Sequence, residues 1–185
     1  MKSDARVRYT KKVLRESLLQ LMKTKPIHGI TVKEICELAE INRATFYTHY
    51  TSPYDLLEQI EDELFDQMST RVIKNFKEDT LTEVMELAFD IIAENIELCR
   101  VIFSENGNKR FLDRVMQIAR ETTISSWKAD FPRATENQMD YLFSFIISGA
   151  VAVIERWVRI GMKETPIELA ENVSKLAQIW LRKTK

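Results

Sequence analysis

Residues 31–50 read TVKEICELAEINRATFYTHY, and this stretch decides the fold. Thr31 and Glu34 have the spacing of a capping box, in which each side chain accepts a hydrogen bond from the other residue's backbone N–H. The spacing predicts a helix over 32–39, a three-residue turn, and a second short helix over 43–50 that begins after an Asn N-cap. Two short helices joined by such a turn have the layout of a helix-turn-helix.

The second helix of this motif has an apolar side at helical spacing. Phe46 and Tyr50 lie one turn apart and share that side. They are predicted to pack on the first helix of the motif through its apolar residues Ile35, Leu38 and Ala39.

The opposite side of the second helix is polar apart from one small alanine, which permits close approach to base edges. Arg43 can bond a guanine or a phosphate, and Thr48 can meet a base edge or a thymine methyl group. Tyr47, His49 and the start of the first helix suit contacts to the DNA backbone. The predicted DNA-binding residues are Thr31, Lys33, Arg43, Ala44, Thr45, Tyr47, Thr48 and His49.

Composition favours an all-α fold. The chain has 185 residues, of which 45% are apolar and 30% charged, with four Gly and four Pro. Turn-rich β folds need more of both residues. Caps and apolar periodicity predict about nine helices, with further capping boxes beginning at Thr80 and Thr165 and a related cap at Ser52; the ranges are 5–25, 32–39, 43–50, 53–76, 81–94, 96–104, 108–130, 136–160 and 166–183.

Charge is unevenly distributed along a chain whose net charge is −1. Residues 1–55 carry ten Lys/Arg against six Asp/Glu, and residues 56–185 carry 17 against 22. The basic N-terminal part of this otherwise acidic chain is expected to bind a polyanion. The alternative is that these charges only form a solvated helix face.

Two sequence features of the body predict assembly and a possible ligand site. The helix over 136–160 is apolar on two faces, and the helix over 166–183 has an apolar seam, so both are expected in a dimer interface of four helices. The alternative is that these apolar residues all belong to the core of one subunit. The predicted interface residues are Phe143, Ile147, Ile154, Trp157, Leu169, Val173, Leu176 and Trp180. Met and aromatic residues that either fill a core or line an apolar ligand pocket are Met85, Phe89, Phe103, Phe111, Met116, Trp127 and Phe145.

Several function classes are not expected from this sequence. Catalytic motifs and metal-ligand spacings are absent, so we expect no enzyme, no metal and no cofactor. The longest uncharged apolar run, 141–154, is shorter than the roughly 20 residues of a membrane span and predicts a buried helix. Cys36 and Cys99 are expected to be small buried side chains in a reducing cytoplasm.

Residues 31–56 resemble the TetR/AcrR family of bacterial transcription regulators. The family pattern T-V-x-x-I-A-x-x-A-G-V-S-x-x-T-F/L-Y-x-H/Y-F-x-S/N-K-x-x-L is matched at Thr31, Val32, Ile35, Ala39, Ile41, Asn42, Thr45, Phe46, Tyr47, His49, Tyr50, Ser52 and Leu56. Three positions depart from it: Glu40 replaces the turn glycine, Cys36 an alanine, and Pro53 a lysine that would contact phosphate.

The resemblance implies a helix-turn-helix domain over 1–52 and a helical regulatory and dimerisation domain over 53–185. It further implies a cytoplasmic, nucleoid-associated homodimer that binds double-stranded DNA at a palindromic operator. We expect a repressor released by a small, apolar ligand. The alternative is an adaptor or coactivator with the same fold that a protein partner controls.

Overall fold

The computed structural model describes residues 2–73, 81–107, 109–130 and 132–183. Over these residues the chain forms nine α-helices and no β-strand, which confirms the predicted fold class. The helices are α1 (Lys2–Met22), α2 (Val32–Ala39), α3 (Arg43–Tyr47), α4 (Pro53–Met68), α5 (Leu81–Glu94), α6 (Ile96–Ile102), α7 (Lys109–Asp130), α8 (Glu136–Arg159) and α9 (Pro166–Lys183).

Hydrogen-bonded caps set the starts of several helices. At α2, the Thr31 N–H donates to Glu34 Oε2 at 2.9 Å and the Glu34 N–H donates to Thr31 Oγ1 at 3.3 Å, so the predicted capping box is confirmed. The box predicted at Thr165 is also confirmed, with its N–H donating to Glu168 Oε2 at 2.8 Å. The box at Thr80 lies outside the described residues, and the sequence analysis missed a box at Thr135, which caps α8.

Several helix ends differ from the predicted bounds, among them the end of α1, at Met22 rather than 25, and the end of α6, at Ile102 rather than 104. The second motif helix ends at Tyr47 rather than 50, with Thr48 as its C-cap, although Tyr50 is 5% exposed and its N–H bonds to the Phe46 carbonyl at 2.9 Å. The α-helical part of α4 ends at Met68, and a π-helical turn follows over Ser69–Ile73 where a continuous helix to 76 was predicted. Leu38 is 50% exposed and therefore contributes less to the motif's core than expected.

The described chain divides into two compact units. The first comprises Met1–Leu64 and Glu97–Asn108, and the second comprises Phe65–Ile96 and Lys109–Lys185. The predicted domain boundary after residue 52 stays a prediction. The first unit is built around side chains that are at most 1% exposed: Leu14, Leu18, Met22, Ile35, Phe46, Leu56 and Leu98.

In the second unit, α5 packs along α9 and α7 packs along α8. Trp157 of α8 is 2% exposed, and its ring centroid lies 5.9 Å from that of Phe89 on α5. The Trp157 Nε1–H donates to the Glu164 carbonyl at 2.9 Å, so the buried indole keeps a partner for its only polar group.

Helix α8 is buried on one side only. Met139, Phe143, Trp157 and Val158 are buried, whereas Tyr141 is 75% exposed and Phe145 is 58% exposed. Among the described residues, α8 is the one helix that is long enough and apolar enough to cross a membrane, judged by length and composition alone. Within the subunit, 17% of its most apolar stretch is buried. The run 141–154, expected as a buried helix, thus has an exposed uncharged face in the single subunit.

Candidate nucleic-acid interface

The short helix α3 is held in place by its aromatic residues. Phe46 is 0% exposed, and its ring lies 5.7 Å from that of Tyr50 and 5.6 Å, edge-on, from that of Tyr47. Phe46 and Tyr50 thus anchor α3 in the first unit, as the sequence predicts. A five-residue helix is not stable by itself, so this burial fixes its orientation.

The side of α3 that faces away from Phe46 is accessible. Arg43, Ala44 and Thr48 are exposed, and the Tyr47 side chain is 59% exposed. Asn42 Oδ1 accepts a hydrogen bond from the Ala44 N–H at 2.8 Å, which confirms Asn42 as the N-cap. All eight predicted DNA-binding residues lie in the first unit, six of them exposed and two, Thr45 and His49, half-buried.

The hydroxyl of Thr48 has a defined hydrogen bond. Its Oγ1 donates to the Thr45 carbonyl at 2.6 Å. With the hydrogen engaged, Thr48 presents oxygen lone pairs and a methyl group to an approaching molecule. These groups match a base amino donor, such as adenine N6 or cytosine N4, and the thymine methyl.

Two predicted contact residues at the start of α2 differ in what they can offer a phosphate. The Thr31 hydroxyl donates to Glu34 Oε2 at 2.8 Å, so its hydrogen is committed to the cap. Lys33 is exposed and its Nζ lies 3.7 Å from Glu37, a contact that water exchanges easily. Lys33 and the free N–H groups of the first turn are therefore better suited to hold a phosphate than Thr31 is.

The carboxylate of Glu34 stabilises this cap through hydrogen bonds and an ion pair. A hydrogen bond from Lys25, followed by hydrogen bonds from the Thr31 N–H and hydroxyl, lowers the pKa of Glu34 to about 2. The group is therefore ionised throughout the neutral range. The ion pair with Lys25 also ties the segment that follows α1 to the start of α2.

The turn between α2 and α3 uses a residue in the conformation that glycine prefers. Glu40 has φ 54° and ψ 37°, in the left-handed region, and its N–H is bonded to the carbonyls of Cys36 and Glu37. Glu40 thus takes the left-handed conformation at the position where the family pattern has glycine, which costs a residue with a Cβ more than it costs glycine.

The two cysteines are free and buried, as predicted. Burial raises the pKa of the Cys36 thiol and raises that of Cys99 to about 12. Both thiols are therefore protonated at neutral pH.

The residues considered for a ligand pocket are placed unevenly. Phe103 belongs to the first unit and the other six to the second. Phe89 and Phe111 are buried, Met85, Met116 and Trp127 are half-buried, and Phe145 is 58% exposed. A pocket within one subunit would thus draw on α5 and α7 more than on Phe145.

The residues considered for a dimer interface divide into two groups. Phe143, Trp157, Leu169 and Val173 are at most 7% exposed within their own subunit, so they offer little area to a second copy. Ile147 and Ile154 are half-buried, Leu176 is 58% exposed, and the side chain of Trp180 lies outside the described set. The exposed side of α8 carries Tyr141, Phe145, Ser148 and Ala152 at a 4-3-4 spacing, and none of these four is among the predicted interface residues.

Comparison with known proteins defines the class of the chain. Residues 14–60 match the family model of bacterial regulatory proteins of the TetR family, and residues 79–178 match the model of a transcriptional regulator C-terminal region. The chain belongs to the TetR family of transcriptional regulators, which are DNA-binding proteins with a helix-turn-helix.

Relatives are distant in sequence. A helix-turn-helix-type transcriptional regulator of Bacillus subtilis, YxbF, is 24% identical over 110 residues, which are 56% of this chain and 29% of that protein. The chain thus matches less than a third of this relative's length.

Solved structures share the fold over almost the whole chain. The transcriptional regulator FadR of Bacillus subtilis, in complex with stearoyl-CoA, has a TM-score of 0.68 at 13% identity, and the match covers 90% of this chain and 96% of that one. The dihydroxyacetone kinase operon activator DhaS has a TM-score of 0.64 at 16% identity and covers 94% and 96%.

Proposed function

We propose that this regulator is a cytoplasmic, nucleoid-associated homodimer that binds a palindromic operator and represses transcription until a small apolar ligand releases it. The observation that carries the DNA-binding part is the accessible face of α3. Small and polar side chains, Ala44 and Thr48, lie opposite a fully buried Phe46. A rigid helix with such a face suits entry into the major groove.

The proposed dimer rests on the exposed side of α8. Between Tyr141 and Ala152 this side carries no charge, and small residues there allow two helices to cross closely. A second copy of the chain is the occupant we propose, because a palindromic site requires two recognition helices related by a two-fold axis.

Two substitutions separate phosphate contact from base reading on α3. Tyr47→Phe is expected to weaken binding to all duplexes by a similar factor, because its hydroxyl would contact a phosphate. Thr48→Ala is expected to relax the preference at one position per half-site, at about 1–3 kcal/mol for that base pair. Selection of DNA from a random pool, followed by binding titrations on single-base variants, measures both effects.

These two variants serve as controls for each other. Both side chains are exposed, so neither change is expected to alter the fold. An unchanged base preference in Thr48→Ala, or a sequence-dependent loss in Tyr47→Phe, contradicts the assigned roles. If the unaltered chain selects no sequence at all, the operator proposal itself is wrong.

The proposed ligand is apolar because the half-buried side chains of α5 and α7, Met85 and Met116, are soft and uncharged. A ligand acts only through its different affinity for two states of the protein. A 100-fold weakening of the operator complex corresponds to about 2.7 kcal/mol of coupling, and operator DNA must weaken the ligand by the same factor.

A filling substitution tests this ligand site. Ala88 is half-buried on α5, one turn from Met85 and adjacent to Phe89. Ala88→Phe is expected to abolish release by ligand and to leave operator binding intact, as measured by titration with a panel of neutral lipophilic compounds. If no compound shifts thermal stability or operator affinity, control by a protein partner becomes the better proposal. A role as an adaptor or coactivator is compatible with the fold, because DhaS, which shares it, is an operon activator.

A further inference from the structure

The first three turns of α1 are strongly basic. Residues 2–12 contain five Lys or Arg and a single acidic residue, in a chain whose net charge is −1. The basic residues are Lys2, Arg6, Arg8, Lys11 and Lys12. No element of the helix-turn-helix motif includes them.

This end of α1 is not part of the core of its unit. Residues 5–9 are all exposed, Tyr9 at 64%, and the first buried side chains are Thr10 and Leu14. At 1.5 Å per residue, the exposed residues 5–9 span roughly 7 Å of helix before core packing begins at Thr10. Because residues 5–9 do not pack against the core, packing does not explain why this part of α1 is so basic. The exposed side chains here are available to a partner outside the subunit.

The pairing of basic residues changes along α1 and the turn that follows it. Arg15 is paired with Glu63 at 2.7 Å and Lys23 with Glu97 at 2.6 Å, so the positive charges near the core are neutralised within the first unit. Among the described residues, Arg8 and Lys11 have no ion pair, and Lys12 has only a 3.8 Å contact to Glu16 on the same helix. The unneutralised charge is thus concentrated at the exposed end.

Three of these cations share one side of the helix. Arg8, Lys11 and Lys12 follow the i, i+3, i+4 spacing that places residues on one face. That face lies opposite Thr10 and Leu14, the first buried residues of α1, and becomes buried only further along the helix, at Leu19 and Met22. Cations near a helix N-terminus also oppose the helix dipole, so their concentration here does not stabilise α1 itself.

The position of this face relates it to the recognition helix. Glu63, the partner of Arg15, and Arg15 itself both act electrostatically on Tyr50, three residues after α3 ends. Lys11 and Arg8 lie about one and two turns further along α1, roughly 6–10 Å from Arg15. These cations and α3 belong to the same compact unit, so a duplex bound by α3 is the candidate polyanion for them.

We propose that Arg8, Lys11 and Lys12 bind the phosphate backbone of the duplex outside the base pairs that α3 reads. This inference rests on the proposed DNA-binding role of α3 and adds a second contact surface to it. Because phosphates carry no sequence information, this surface strengthens binding without changing the preferred sequence. It also substitutes for the phosphate contact that a lysine at position 53 would supply in the family pattern.

The test compares the full chain with the triple variant Arg8→Gln/Lys11→Gln/Lys12→Gln. The probe is a duplex that the unaltered chain recovers from a random pool, extended by about 10 bp, one helical turn, on each side. Each lost phosphate contact lowers the slope of log K against log salt by about 0.9, so a loss of about 2.7 per subunit is expected. Hydroxyl-radical footprints are expected to shorten at their outer edges, and the selected sequence is expected to stay the same.

A charge-matched control removes three cations from the second unit. Arg133, Lys163 and Lys175 are exposed, and Arg133→Gln/Lys163→Gln/Lys175→Gln changes the net charge equally. This control is expected to keep the salt slope and the footprint of the unaltered chain.

The outcomes separate the inference from the proposed function. If the unaltered chain selects a sequence and the α1 variant keeps its salt slope and footprint, the inference is overturned and the DNA-binding role stands. The same holds if the α1 variant changes only the oligomeric state in light scattering, which would make a protein surface the partner. If the unaltered chain binds no duplex, both are overturned.

Discussion

Ser148→Glu is expected to convert the proposed dimer into folded monomers that no longer bind the operator tightly. Ser148 is exposed at the middle of the uncharged side of α8, so a carboxylate there costs the single subunit little. In a two-fold interface the same position meets its own copy, and two unpaired carboxylates would be buried together. An uncompensated buried charge costs about 3–5 kcal/mol, which weakens dimerisation by roughly three orders of magnitude.

Light scattering across a concentration series measures the oligomeric state, and titration of the selected duplex measures operator affinity. Gln117→Glu is the matched control, because it adds the same charge at an exposed position on α7. The control is expected to stay dimeric. A Ser148→Glu chain that remains dimeric would place the interface on another surface.

Much of the fold could be predicted because local chemistry defines the helix starts. The capping boxes at Thr31 and Thr165 involve residues three apart, so their hydrogen bonds follow from the sequence alone. The end of α3 could not be placed as well. The helix ends at Tyr47, yet Tyr50 is buried on the side that helical spacing predicts and its N–H bonds to the Phe46 carbonyl at 2.9 Å, so the apolar pattern continues past the last helical residue.

The side of α8 that faces outward could not be predicted from periodicity. Both of its faces are apolar, and a hydrophobic pattern gives the same signal for a core as for a partner surface. Trp157 shows the difficulty: its size suggests an interface anchor, yet the structure packs it against Phe89 within the subunit. Ser148 and Ala152, which contribute little to the hydrophobic pattern, are exposed together with the large side chains of Tyr141 and Phe145.

The charges of α1 could be counted but not assigned from the sequence. The sequence alone does not distinguish Arg15 from Arg8, since both are arginines on the same helix. Only the fold brings the Glu63 carboxylate to Arg15. The carboxylate lies 48 residues away along the chain, so local pairing rules do not find it. The difference between neutralised and available cations is therefore a tertiary property.

Phe46→Ala is expected to destabilise the first unit by about 3–5 kcal/mol, the usual cost of removing a fully buried aromatic ring. Phe46 is 0% exposed and contacts the rings of both Tyr47 and Tyr50, so the cavity would open directly beneath α3. Because α3 spans five residues, it has no intrinsic stability to replace this anchor. Sequence-specific binding is expected to be lost together with the ordered motif.

Urea unfolding followed by circular dichroism measures the stability change, and Tyr47→Ala is the matched control on the same helix. Tyr47 is 59% exposed, so its removal is expected to cost within about 1 kcal/mol while it still weakens DNA binding through the lost contact. The two variants thus lose DNA affinity for different reasons, and only Phe46→Ala loses it through unfolding. If Phe46→Ala keeps the stability of Tyr47→Ala, burial of this ring does not hold α3 in place, and the orientation of the recognition face must come from the turn at Glu40 and the cap at Asn42 instead.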